Sequence, residues 1–237
     1  EVFENDLSLL LKYLLNAIFL MKIRQSQKAL AERNKGVDFV QKKGQGQSLV
    51  HMLSYKAKLH LLMGDIIEVE KTIAQTDKIR LEVNTVPWQA SNFHRVKSQY
   101  HLYLLEEATH RSDKTALVEH QKNARKFCKI FFKVSRKVAQ HRIESNKQIG
   151  VYYWLVNKQK KALSWWSKSI EEGEHMGANL EIARVFFEIG KRLQEPKSQF
   201  NMLNGVTADA YLNKARKLFE EMDLQRDLDE LYQITKI

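Results

Sequence analysis

The sequence contains little proline and glycine. Two prolines and nine glycines occur among 237 residues, a composition that excludes collagen-like, proline-rich and glycine/serine-rich disordered chains. Because residues that break helices are scarce, most of the chain is free to form long helices. The length fits one or two ordinary domains or one helical solenoid, and it is sufficient for a sizeable hydrophobic core.

Cysteine and long hydrophobic runs are also scarce. The single cysteine, Cys128, excludes an internal disulfide framework and a zinc site built on several cysteines, and we expect a reducing, cytoplasmic location. The most apolar stretch, residues 7–23, is interrupted by Lys12, Asn16 and Lys22. It therefore predicts a buried helix and no membrane span. Since the sequence begins at Glu1 without a signal peptide, we expect a fragment of a longer chain.

Apolar residues recur at spacings of three and four along almost the whole sequence, which predicts helices and no strand. We expect an all-α fold of about ten to eleven helices. Residues 34–47 contain three glycines and predict a loop or a frayed helix end, and Ser112-Asp113 predicts a helix cap. The predicted helical segments are 5–33, 48–63, 65–81, 91–110, 114–137, 142–157, 159–174, 180–194, 208–222 and 225–234.

Positive charge is concentrated in the first part of the chain. Residues 1–142 carry 25 Lys and Arg against 14 Asp and Glu, whereas residues 143–237 carry 14 of each. This asymmetry favours an acidic partner protein, an acidic domain of the same protein, or nucleic acid.

The positive charge is densest in the predicted helix 114–137. Five lysines recur there at spacings of three and four, so they share one side of the helix, which we call the basic face. Three interpretations stay open: a solvated helix surface, a docking surface for an acidic partner, and a nucleic-acid surface. The last is weakened because Phe127 and Phe131 fall on the opposite, apolar side and are not interleaved for base stacking. The basic face consists of Lys122, Lys126, Lys129, Lys133 and Lys137.

Two segments fit the tetratricopeptide repeat, a pattern written W-x2-L-G-x2-Y…A-x3-F. In residues 146–166 only the leading aromatic is missing, and a second copy begins 40 residues later at Phe186. Small residues in this pattern let two helices approach closely, and large residues fill the gaps beside them. The residues at the matching spacings are Ile149, Gly150, Tyr153, Ala162 and Trp166 in the first copy, and Phe186, Ile189, Gly190 and Leu193 in the second.

The strings around these repeats resemble the tetratricopeptide-like C-terminal tail of large bacterial signalling proteins. Those proteins join a class III adenylate or guanylate cyclase, or a protein kinase, to a nucleotide-binding AAA/STAND-type ATPase module. The resemblance is good over 143–230, vaguer over 82–137, and limited to helical-hairpin character over 1–81. The strings that carry it include 152–155, 160–166, 169–174, 180–184, 188–193 and 215–224.

The resemblance implies a right-handed α-solenoid of antiparallel helix pairs with a regulatory or interaction role. We expect degenerate hairpins over 1–81 and tetratricopeptide-like repeats over 82–237, in one continuous solenoid or two domains. The implied function is non-catalytic binding of protein, either an acidic peptide or domains of the same parent chain. Nucleic-acid binding is the alternative, and self-association through the wide apolar face of the first helix is a further option.

The repeat register also predicts which side chains line a concave groove. Basic residues around an apolar centre suit an acidic peptide, because charge steers the partner and buried apolar anchors hold it. We call this set the predicted groove. Its members are Lys58 from an early repeat, Lys147, Val151 and Trp154 from the next, and Arg184, Phe187 and Lys191 from the last.

The sequence contains no recognisable catalytic, cofactor or metal motif. None of the eight histidines is followed by another at the third or fourth position, so no helix presents a two-histidine metal face. The zincin, P-loop and nucleophile-elbow motifs do not occur. We therefore expect no catalytic residue, no cofactor and no metal in this chain.

Overall fold

The chain is all-α, as predicted. The computed structural model describes residues 2–111 and 113–235, and within these ranges it contains eleven α-helices, one 3₁₀ turn at Ala139–His141 and one short β-hairpin. The helices are α1 (Val2–Lys22), α2 (Ser26–Lys42), α3 (Gly46–Met63), α4 (Ile66–Glu82), α5 (Pro87–Arg111), α6 (Lys114–Ser135), α7 (Arg142–Leu155), α8 (Gln159–Met176), α9 (Asn179–Leu193), α10 (Ala208–Glu221) and α11 (Gln225–Thr235).

Two boundary predictions near the N-terminus are wrong. The predicted helix 5–33 is divided between α1 and α2, where Arg24 adopts a left-handed conformation with φ of 59°. The predicted loop at 34–47 is mostly the end of α2. Gly36 is buried inside that helix, where an added Cβ would lie 3.0 Å from the Cε atom of Met52. This glycine therefore permits close packing of α2 on α3 and does not form a turn.

The prediction that the chain has no strand is also wrong at one place. Two short strands, β1 (Met202–Leu203) and β2 (Val206–Thr207), pair as an antiparallel hairpin. The turn between them is Asn204-Gly205, with φ of 51° and 74°, and this dipeptide is a strong signal for such hairpins. The hydroxyl of Tyr211 in α10 donates to the carbonyl oxygen of Leu203 at 3.1 Å, which fastens the hairpin to the helix.

The chain divides into two compact units, residues 1–100 and 101–237, so that α5 contributes to both. In the first unit α1 packs on α2, α2 on α3, and α3 on α4. The predicted hairpin of 48–63 and 65–81 is confirmed. It turns at Gly64, whose φ is 76°, and Asp65 caps α4 by accepting a hydrogen bond from the backbone NH of Glu68.

In the second unit the two segments that fit the repeat pattern form the helix pairs α7/α8 and α9/α10. The predicted close approaches are present in both. An added Cβ at Gly150 would lie 2.2 Å from the indole nitrogen of Trp166, and one at Gly190 would lie 2.6 Å from Cγ of Leu212. Glycine at these positions is therefore required by helix packing. The handedness of a continuous solenoid stays a prediction.

Candidate interaction surface

Helix α6 presents the basic face because of how its other side is buried. Asp113 caps the helix by accepting hydrogen bonds from the backbone NH groups of Thr115 and Ala116 at 3.1 and 3.0 Å. The predicted cap is therefore confirmed at Asp113, while Ser112 lies outside the described residues. The buried side of α6, which faces the core of the second unit, carries Ala124, Cys128, Phe131 and Ser135. Lys122, Lys126, Lys129 and Lys133, at intervening positions, lie on the opposite side. Lys137 lies two residues beyond the end of α6, which the sequence predicted to continue to residue 137.

All five lysines of the basic face are exposed. Within the described part of the chain none of them forms a salt bridge, and the segment 122–137 contains no acidic residue that would neutralise them. Arg125 and Arg136, also exposed, add two further positive charges. Aligned charges of one sign raise the local potential and attract an oppositely charged partner over about one Debye length, roughly 8–10 Å in physiological salt.

A shallow depression of about 460 Å³ lies at the N-terminal half of the basic face. Its floor and rim include Val118, which is 71% exposed, and the half-buried Tyr152 of α7. The cations around it are Lys122, Arg125, Lys126 and Lys129. The depression therefore combines two side chains with apolar surface and four cations. Sequence reasoning missed Val118 and Tyr152, because only the packing of α7 beside α6 brings them together.

Phe127 does not contribute an exposed base-stacking platform. Its ring stacks on the imidazole of His101, with the ring centroids 4.4 Å apart and the planes inclined by 10°. Phe131 is fully buried. The aromatic residues of α6 therefore serve the packing of the second unit, as the sequence predicted.

The apolar residues of the predicted groove are largely buried and do not form an open surface. Val151 and Trp154 of α7 are buried, and the indole NH of Trp154 donates to Glu195 at 2.8 Å. Phe187 of α9 is half-buried and packs edge-on against Phe219. Helices α7 and α9 contact each other, so these residues share one region of the second unit.

The cations of the predicted groove are matched by nearby carboxylates. Lys147 forms an ion pair with Glu144 at 2.8 Å. Arg184 donates from Nε and Nη2 to both oxygens of Asp227, at 2.9 and 3.0 Å. Lys191 and Lys147 both lie close enough to Glu188 to lower its pKa. The groove is thus electrically compensated, in contrast to the basic face.

A buried arginine pairs with three glutamates in the same region of the second unit. Arg192 is 3% exposed and makes ion pairs with Glu106 at 2.6 Å, Glu188 at 2.7 Å and Glu195 at 2.7 Å. Burial alone would raise the pKa of Glu188 and of Glu195, but the surrounding cations outweigh it and both pKa values fall below 4.5. The three carboxylates in turn raise the pKa of Arg192 against the effect of burial. The network is a structural element of the second unit.

Lys58 belongs to the first unit, where it lies half-buried on α3. The partner role of Lys58 and of the other predicted groove residues stays a prediction.

The described residues form neither a metal-binding cluster nor a membrane-spanning helix. Within 2–111 and 113–235 no group of three or more His, Cys, Asp and Glu side chains is arranged to hold a metal ion. Over the same ranges no helix has both the length and the apolar character needed to cross a bilayer. Comparison with protein-family models and with curated proteins found no match for this chain.

Proposed function

We propose that this chain is a non-catalytic, tetratricopeptide-like interaction module whose basic face binds an acidic segment of a protein. The observation that carries the proposal is a row of five exposed lysines that form no salt bridge within the described part of the chain, beside a shallow depression lined by Val118, Tyr152, Gln121 and four cations. On a helix surface that is only solvated, opposite charges at spacings of three and four would stabilise the helix slightly, whereas like charges at these spacings repel one another. Here seven positive charges and no negative charge occupy 122–137.

The partner chemistry follows from the depression. Val118 and Tyr152 offer apolar contact area, and the surrounding cations offer several charge-assisted contacts. An amphipathic acidic helix fits both requirements, because its apolar residues enter the depression while its carboxylates meet the lysines. A nucleic acid would use the cations but gains little from this apolar contact area. The contact would take place in the cytoplasm, in a protein of nucleotide signalling that carries a cyclase, kinase or ATPase domain elsewhere in its chain.

Capture from lysate of the source, with and without nuclease, tests this proposal. Three baits are compared: the wild type, a basic-face variant and a control variant with the same loss of four charges at exposed lysines elsewhere. The basic-face variant is Lys122→Gln, Lys126→Gln, Lys129→Gln and Lys133→Gln, and the control variant is Lys28→Gln, Lys42→Gln, Lys158→Gln and Lys160→Gln.

The proposal expects an acidic protein that survives nuclease, is retained by the control variant and is lost by the basic-face variant. Recovery of nucleic acid, with loss of the captured proteins after nuclease, would instead assign the basic face to nucleic acid. Equal capture by all three baits would remove the basic face from the binding site altogether.

A further inference from the structure

Arg33 in the first unit is a fully buried arginine whose charge has no acidic partner among the described residues. It is 0% exposed on α2. Its Nη1 donates to the sulfur of Met52 at 2.8 Å, and its guanidinium lies 4.9 Å from the ring centroid of Tyr55. Among the residues that the structure describes, its Nε and Nη2 atoms have no hydrogen-bond partner. A thioether and an aromatic face are weak substitutes for an anion, and a buried charge without a counter-ion is strongly unfavourable.

A second arginine approaches the same ring. The guanidinium of Arg95 on α5 lies 5.3 Å from the Tyr55 centroid, and its Nε atom also has no hydrogen-bond partner. Its remaining polar contact is a hydrogen bond from Nη2 to the side-chain oxygen of Asn92 at 3.1 Å. Two guanidinium groups thus face one ring, and no carboxylate among the described residues forms a salt bridge with either.

His51 completes the cluster without adding charge. Its imidazole lies 4.9 Å from the Tyr55 ring and 4.3 Å from the Trp88 ring, and its buried Nε2 atom has no hydrogen-bond partner. Burial, together with Arg33 and Arg95, lowers the pKa of His51 to about 3, so the ring is neutral at pH 7. The double-arginine cluster, Arg33, His51, Tyr55, Trp88 and Arg95, therefore carries two positive charges and several unused polar atoms.

We propose that the double-arginine cluster binds a phosphate dianion, supplied either as free phosphate or by a small phosphorylated metabolite. The charge decides the class of ligand: a phosphate carries about −1.5 to −2 at neutral pH, which matches two guanidinium groups, whereas a single carboxylate leaves one buried charge uncompensated. Guanidinium donors match phosphate oxygens in a forked geometry. Arg95 and Trp88 are half-buried, so the cluster is less deeply buried at its α5 residues than at Arg33.

Phosphorus NMR and thermal unfolding of the full chain in phosphate-free buffer at constant ionic strength test this proposal. Inorganic phosphate and glycerol 3-phosphate form the two ligand arms, with chloride as the ionic-strength control. The variants are Arg33→Met, which keeps an unbranched apolar stem, and the half-exposed Arg95→Gln. Arg125→Gln on the basic face is the matched control, so failure here is distinguishable from failure of the basic-face proposal.

We expect saturable line broadening in at least one arm and an unfolding midpoint that rises by several degrees at saturation. Affinity falls at least tenfold in Arg33→Met and in Arg95→Gln, and is unchanged in Arg125→Gln. The arm with the tighter binding identifies the source of the phosphate. Absence of saturable broadening in both arms overturns the proposal, as does binding that Arg125→Gln abolishes and Arg95→Gln preserves.

Discussion

Replacing Gly150 by alanine tests the packing of the repeat. The new Cβ would lie 2.2 Å from Nε1 and 2.4 Å from Cδ1 of Trp166. Trp166 cannot move away easily, because it is 0% exposed, donates to the carbonyl of Lys147 at 3.3 Å and packs 5.5 Å from the ring of Trp154. Overpacking of this kind costs about 1–3 kcal/mol, and the better helix propensity of alanine returns up to about 1 kcal/mol.

We therefore expect Gly150→Ala to lower the free energy of unfolding by about 1–2 kcal/mol in urea titrations followed by circular dichroism. Trp166→Phe removes the indole atoms that the Cβ would meet, so the double variant should lose less than the sum of the two single variants, by about 1 kcal/mol. A stability gain of about 1 kcal/mol in Gly150→Ala, as at an exposed helical glycine, would refute the reasoning. Strictly additive losses would refute it too.

Three further predictions concern a cap, an ion pair and a titrating group. Asp113→Ala removes the cap of α6 and should lower the free energy of unfolding by about 1 kcal/mol in thermal melts; an unchanged midpoint would contradict the assigned cap. Asp227→Asn keeps the shape of a side chain that is 2% exposed but leaves Arg184 without its carboxylate, so it should cost about 2–3 kcal/mol and speed amide exchange in α11; slow exchange would count against this. His51, whose pKa is lowered from 6.5 to about 3, gains a proton on unfolding, so stability in phosphate-free buffer should fall as the pH drops from 6.5 towards 3. His51→Gln should flatten that slope, and an unaltered slope in the variant would exclude His51 as its source.

Local periodicity predicted most of the helices from residue 48 onward and the lysine positions of the basic face on α6. The lysines at Lys122, Lys126 and Lys129 share one side of α6 simply because of the 3.6-residue period. The tight approach at Gly150 and Gly190 was likewise predictable, because the repeat pattern places small residues where two helices approach closely. It did not predict that Leu212 is the neighbour of Gly190.

Turn geometry was less predictable. Arg24, just after α1, adopts a left-handed conformation that glycine usually takes. Because no glycine stands there, the sequence does not indicate the break between α1 and α2. The opposite error occurs at Gly36, a glycine that predicts a loop but is used for helix packing. Glycine can form a turn or permit close helix packing, and only the tertiary contacts show which of these a given glycine does.

The charge balance of the predicted groove was beyond sequence reasoning. Arg184 meets Asp227, and Arg192 meets Glu106 from 86 positions earlier in the chain. Local spacing carries no information on which acid reaches which base over such separations. The sequence therefore predicted basic side chains in the groove but not the carboxylates that compensate them, and the uncompensated charge lies on α6 instead.

The most direct test of the central claim is a competition titration on the basic face. The probe is a fluorescent amphipathic helix with glutamates on one side and leucines on the other, followed by anisotropy at physiological salt. Exposed ion pairs contribute roughly 0.2–1 kcal/mol each, so loss of four lysines should weaken binding by about 0.8–4 kcal/mol, which is at least about fourfold.

The account predicts that this loss of at least about fourfold occurs in the basic-face variant and not in the control variant. Unlabelled peptide displaces the probe, a scrambled peptide of the same charge displaces it poorly, and duplex DNA at equal charge concentration does not. Displacement by DNA as readily as by the peptide, or equal binding by the two variants, would contradict the claim that this face recognises an acidic protein segment.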